Sequence, residues 1–192
     1  MKSKGNPKGT NKPDFWKNVR NSATVAEELK ERVYNEYYSR DSLYVYCDSS
    51  MNVDKRLMAV ACTYVSNANI IVKRQLVYPS HHVADKSIYG ELKSIIFALT
   101  HFQKYMDYNC KKVQVYSDVN HIDKILNDEI KFRKHPLLKE LKDELNNLYQ
   151  SKNVEHRGIE INISYLNKER RIYNPFAKCS HNKAKNLLLS SK

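Results

Sequence analysis

The chain has 192 residues, with 33 Lys and Arg against 21 Asp and Glu, a formal net charge of +12, 41% apolar residues and 28% charged ones. That length holds one domain with a proper core plus an appendage, and the composition is that of a folded soluble protein. No apolar run approaches the ~18 residues of a membrane span, and the polar start MKSKGNPKGTNKPDFW lacks the apolar stretch of a signal peptide.

Residues 1–20 carry Lys2, Lys4, Lys8, Lys12, Lys17 and Arg20 among Gly5, Pro7, Gly9 and Pro13, and read as a flexible basic tail in which Trp16 has no assignable role. Thr24-Val25-Ala26-Glu27 matches a capping box and opens a helix over about 24–38, with Val25, Leu29, Val33 and Tyr37 on one face. Residues 1–40 are thus expected to be an appendage to a main domain over 42–190. From Leu43 the periodicity changes. LYVYCD (43–48), RLMAVACTYV (56–65) and NIIVKRQLVY (69–78) are short β-rich runs joined by turns short enough for hairpins, which predicts an antiparallel meander.

After PSHHVADK, the segment Ser87–Tyr105 places Ile88, Leu92, Ile95, Ile96, Leu99 and Phe102 at helical spacing. KVQVYSD (112–118) is a fourth strand, followed by a helical run to about Glu129. A helix opened by Pro136, a fifth strand GIEINISYL (158–166), a basic loop and a last helix over about Ser180–Leu189 complete the chain. The order βββαβααβα predicts an α/β fold whose five-stranded sheet is mixed, because strands flanking a helix run parallel through right-handed crossovers.

Alternation within strands sorts the side chains by face. Leu43, Val45 and Cys47 point one way, and Tyr44, Tyr46 and Asp48 the other; in the fourth strand Gln114, Tyr116 and Asp118 share a face. Both strands end on a Tyr, a small residue and an Asp. Parallel pairing would set Asp48 beside Asp118 at the carboxyl ends, where open α/β sheets place their sites. Glu91 lies at the margin of the helical stripe after Gly90, which leaves room for close approach. None of the three has an Arg or Lys partner nearby in sequence. Their mutual repulsion would be relieved by hard divalent cations, Mg²⁺ or Mn²⁺. Two such ions about 3.5–4 Å apart can activate a water and stabilise a leaving oxygen in phosphodiester cleavage. The basic surface points to a polyanionic partner, nucleic acid being the commonest. Cys47, Cys62, Cys110 and Cys179 form no CxxC and no Cys/His pairing at zinc spacing, so free thiols, no zinc and a reducing, cytoplasmic setting are expected.

Asp48 in YCDSS, Glu91 in YGELKSIIFAL and Asp118 in VYSDVNHI, in this element order, resemble type 1 ribonuclease H over about residues 42–190. The resemblance implies a ribonuclease H-like fold and an endonuclease that hydrolyses the RNA strand of RNA–DNA hybrids with two metal ions. Asp48 would bridge both ions, and Glu91 and Asp118 would each hold one. His181, in SHNKAKNLL, stands where the family's last helix opens on an Asp, and would act as proton carrier or weak ligand, shifting preference toward Mn²⁺. Ser49 replaces the usual glycine after the first Asp, Ser87 partly replaces a Thr-Asn stretch that touches the RNA strand, and Asn120 occupies the place of a groove-reading amide. Lys168, Arg170, Arg171 and Lys178, in the basic loop, are candidates for phosphate contact. The basic handle helix of some members is absent, leaving the tail or Lys131, Arg133 and Lys134 to supply that grip. The alternatives are a catalytically weak nucleic-acid-binding module of the same fold and a same-fold nuclease with another substrate.

Overall fold

A computed structural model describes residues 12–17 and 24–191. Its centre is a five-stranded sheet in the order β3-β2-β1-β4-β5, built from β1 (Ser42–Asn52), β2 (Leu57–Ser66), β3 (Asn69–Val77), β4 (Lys112–Ser117) and β5 (Glu160–Tyr165). β1, β2 and β3 form the expected antiparallel meander, while β4 runs parallel to both β1 and β5, so the sheet is mixed. The helices are α1 (Glu27–Tyr38), α2 (Ser87–His101, continued by a 3₁₀ turn over Phe102–Tyr105), α3 (Ile122–Leu126), α4 (Pro136–Glu155), α5 (Lys168–Tyr173) and α6 (Pro175–Ser190).

The two faces of the sheet are covered differently. On one, Leu43, Val45 and Cys47 of β1 meet Leu92, Ile95 and Leu99 of α2 and Leu141 and Leu145 of α4 in an apolar core. Leu92, Ile95, Leu99 and Phe102 are each 0% exposed, and burying side chains of this size contributes about 1.5–3 kcal/mol apiece. The other face carries α6 and α1. Ala59 and Ala61 of β2 meet Ala184 and Leu188 of α6, small residues that let the helix lie close to the sheet. Tyr46 and Val65 pack with Val33 of α1 and Phe176 of α6.

Several features differ from those expected. α1 begins at Glu27 with Ala26 at its N-cap, three residues after Thr24, although Val25 and Val33 bury as the stripe predicts. Residues 12–17, read as part of a flexible tail, pack into the domain: Trp16 is 3% exposed and its Nε1 donates to the Tyr173 carbonyl at 2.9 Å. Residues 1–11 and 18–23 lie outside the described set. β1 does not stop at Asp48 but runs on to Asn52, because its antiparallel ladder with β2 continues through Asn52↔Leu57. The basic loop is a helix, α5, capped by Asn167, whose side chain accepts from the Arg170 amide. The last helix then starts at Pro175, since the Asn174 side chain accepts from the amides of Phe176 and Ala177 and Pro at the first turn needs no donor partner.

Candidate active site

The parallel ladder between β1 and β4 ends at Tyr46↔Tyr116. Two residues further along each chain stand Asp48 and Asp118, side by side where β4 stops and β1 goes on alone with β2. Glu91 reaches the same place from α2, on the opposite face. Its approach depends on Gly90: a Cβ there would lie 2.7 Å from Ser49 Oγ and 3.1 Å from Ser49 Cβ. With hydrogen in that place, the Ser49 hydroxyl fits between helix and strand and donates to Glu91 Oε1 at 2.6 Å.

The three carboxylates open into a cavity of about 390 Å³, lined with them by Ser49, Arg171, Ile172, Ala177, Lys178 and His181. Asp48 is 7% exposed. Burial pushes its pKa up to about 6, with the Asp118 charge adding to the rise and the His181 and Arg171 charges opposing it. Glu91 is held well above the ordinary carboxylate range, first by burial and then by the charges of Asp118 and Asp48. Glu91 Oε2 and Asp118 Oδ1 are buried with no hydrogen-bond partner, a costly state for a charged acceptor.

Two cationic or protonatable side chains offset part of this charge. The Arg171 guanidinium donates to Asp118 Oδ2, and His181 Nδ1 lies 3.2 Å from Asp48 Oδ2. The lack of a basic partner nearby in sequence does not carry over to the fold: α5 brings Arg171 back to Asp118 across 53 positions of sequence. Among the described residues no three His, Cys, Asp or Glu side chains stand at metal-coordinating geometry; here each carboxylate is turned to a protein partner, Ser49, His181 or Arg171. The donor set still fits a hard divalent cation, being all carboxylate oxygen with two buried oxygens unsatisfied and negative charge to neutralise.

Of the residues singled out by sequence, Asp48, Ser49, Glu91, Asp118, Arg171, Lys178 and His181 come together. His181 is not at the start of the last helix; it sits in the second turn of α6 because Asn174 moves that start to Pro175. Ser87 is exposed at the first residue of α2, and Asn120 is exposed in the turn after β4, both outside the cavity lining. Lys168 is exposed, and Arg170 lines a separate cleft with Thr24, Glu28 and Arg32 beside α1. Ile172 and Ala177 were not anticipated in the lining; the Asn174-Pro175 dipeptide is the signal that could have placed them at a helix junction.

No protein-family model matches the chain, and no curated protein matches it. Solved structures do. RNase H1 from the archaeon Halobacterium salinarum NRC-1 superimposes with a TM-score of 0.54 at 16% identity, covering 76% of this chain and 98% of its own. LC11-RNase H1, isolated from compost by a metagenomic approach, gives 0.57 at 16% identity over 78% of this chain and 99% of its own. The N-terminal RNase H domain of a Mycobacterium tuberculosis protein gives 0.52 at 13% identity, over 77% and 99%. The chain has the ribonuclease H fold. The ribonuclease H structures are thus matched almost whole, while about a quarter of this chain is left over.

Proposed function

We propose that this chain is a divalent-metal-dependent endonuclease that hydrolyses the RNA strand of RNA–DNA hybrids. The observation that carries the reading is the meeting of Asp48, Glu91 and Asp118 at one end of a ribonuclease H sheet, with two of their oxygens buried and unsatisfied. It is supported by LC11-RNase H1, a same-fold protein whose structure has been solved in complex with an RNA/DNA hybrid, at 16% identity and a TM-score of 0.56.

When bound, two Mg²⁺ or Mn²⁺ ions would supply water activation and charge stabilisation of the leaving oxygen. Asp48, Glu91 and Asp118 would hold the ions, with Asp48 shared between them. The His181 side chain is 54% exposed while its Nδ1 faces Asp48, so it can carry a proton between bulk water and the cavity. Lys178, exposed on the rim, and Arg171 would hold phosphates, with Ser49, Ser87, Asn120, Lys168 and Arg170 as the wider nucleic-acid contacts. Residues 42–190 would be the catalytic domain and 1–40 its appendage. The working place would be the cytoplasm, where the four free cysteines stay reduced. Among the described residues no helix is long and apolar enough to cross a membrane.

Incubating the pure protein with an end-labelled hybrid and Mg²⁺ or Mn²⁺ tests this. Cleavage leaving 5′-phosphate and 3′-hydroxyl ends is expected, and activity retained in Asp48→Asn would overturn it. A second reading, a binding module with weak or no catalysis, is favoured by the Arg171 and His181 contacts to two of the three carboxylates. Hybrid binding without cleavage under either metal would select it.

A further inference from the structure

Behind the cavity, on the face covered by α1 and α6, lies a buried carboxylate that the cleavage chemistry does not use. Glu36 of α1 is 3% exposed. One of its oxygens accepts from the Tyr46 hydroxyl and the other from the Tyr116 hydroxyl, the latter at 3.3 Å. Tyr46 and Tyr116 are register partners across the β1–β4 ladder, with ring centroids 5.0 Å apart. Each stands two residues before a cavity aspartate, Asp48 or Asp118, on the same strand or just past its end.

The network reaches a third element. The Tyr46 hydroxyl accepts from Asn174 Nδ2 at 3.1 Å. Asn174 Oδ1 in turn accepts from the Phe176 and Ala177 amides at 2.9 and 3.0 Å, the bonds that open α6. One turn on, Ser180 Oγ donates to the Tyr46 carbonyl at 2.7 Å, and the next residue is His181. A single carboxylate from the segment ahead of β1 therefore ties together the elements that deliver Asp48, Asp118 and His181. The segment is itself anchored: Trp16 Nε1 bonds the Tyr173 carbonyl, Tyr34 donates to the Pro13 carbonyl at 2.7 Å, and Phe15 packs on Tyr37 and Phe176.

A helix held only by apolar packing would not need an ionisable group here, since burying one is costly unless its acceptors are filled. Both of these oxygens are filled, and by two paired tyrosines that each stand two residues before a cavity aspartate. We propose that Glu36 is a positioning residue: through Tyr46, Tyr116 and Asn174 it fixes the separation of Asp48 and Asp118 and the seat of His181, making the appended segment a working part of the site. The proposal rests on the nuclease reading for what that site does, and not for the tie itself.

The test compares Glu36→Ala with Val33→Ala, a residue 0% exposed one turn earlier on α1 that shares the apolar cluster of Tyr46 but whose side chain makes no hydrogen bond in the network. Glu36→Gln, which keeps one acceptor, guards against a variant that fails to fold. Three readouts apply: native-state amide exchange at residues 46–49 and 116–119, Mn²⁺ affinity by titration calorimetry, and kcat and KM on a labelled hybrid. At matched global stability, Glu36→Ala is expected to speed local exchange about tenfold over Val33→Ala. Ion affinity and kcat should each fall about tenfold with KM changed less than about twofold, and Glu36→Gln should fall between wild type and Glu36→Ala. Equal losses in Glu36→Ala and Val33→Ala on all three readouts would overturn the proposal. Local exchange changed only by Glu36→Ala, in a protein that neither binds Mn²⁺ nor cleaves, would uphold the tie and overturn the nuclease reading.

Discussion

Glu36 and Glu91 are both glutamates pushed above their ordinary pKa range by burial, and they differ in how far their oxygens are satisfied and in the charges around them. Glu36 has a hydroxyl donor on each oxygen, and the nearby charges of Arg32 and Arg170 stabilise its ionised form. Glu91 has one donor, Ser49, an unpartnered buried Oε2, and Asp118 and Asp48 as neighbours of like charge. The first carboxylate is a finished structural joint. The second is an incomplete assembly, a buried acceptor without a donor among like charges.

Neutralising each glutamate should therefore move stability in opposite directions. At a pH high enough to ionise Glu91, Glu91→Gln removes a repelled, half-satisfied charge, and in EDTA the folded protein is expected to gain about 1 kcal/mol in urea melts. The same change should cost hybrid cleavage on the order of 10³-fold, about 4 kcal/mol of transition-state stabilisation, because a carboxylate assigned to metal is gone. Glu36→Gln replaces one acceptor by a donor facing a hydroxyl and should lose about 1–3 kcal/mol of stability. A loss of stability in both variants would erase the distinction, since Glu91 would then be as well satisfied as Glu36.

Much of this was legible in sequence, and the missing part has a common cause. Alternation in LYVYCD and KVQVYSD, with the hairpin and crossover rules, sets Asp48 beside Asp118, and the stripe around Leu92 aims Glu91 at them; periodicity and register carry all of that. The strand extension through Ser49, Ser50, Met51 and Asn52 was hidden because pairing with β2, rather than side-chain pattern, keeps that backbone extended. Trp16 lies in a lysine-rich segment too short for any period, and its burial is visible only once Tyr173 is in place. Arg171 on Asp118 and Glu36 on its two tyrosines are contacts over 53, 10 and 80 positions, which no local pattern encodes.

The pH dependence of the metal-free protein sharpens the contrast further. Asp48 binds its proton more tightly folded, at about 6, than its ordinary value of 3.8. An acid raised in this way contributes stability that is fully present below the unfolded value and lost as pH rises through the folded one. Thermal melts in EDTA should therefore lose about 1–3 kcal/mol between about pH 4 and pH 6.5 from this group. Glu91 and Glu36 act in the same sense, both being raised. Asp48→Asn should flatten part of that slope. Added Mg²⁺ should stabilise more at about pH 7 than at about pH 5, because the ion competes with the proton for the cavity carboxylates but not for Glu36. An ion effect independent of pH would place the binding elsewhere.

The smallest effect concerns the single donor that Glu91 has among the described residues. A methyl at Gly90 would sit 2.7 Å from Ser49 Oγ, whereas its contact with Met58 Sδ, at 3.4 Å, is ordinary. Gly90→Ala should then cost about 1–2 kcal/mol, by pushing the serine hydroxyl off Glu91 rather than by straining the backbone of α2. Alanine is otherwise the better helix residue by about 1 kcal/mol. Ser49→Gly removes the obstruction together with the hydroxyl, so the double variant should recover most of the stability that Gly90→Ala loses. A double-mutant cycle in urea is expected to give a coupling of about 1 kcal/mol or more. Additive losses would mean that the helix, not the hydroxyl, yields to the added methyl, and that Ser49 does not hold Glu91 in place.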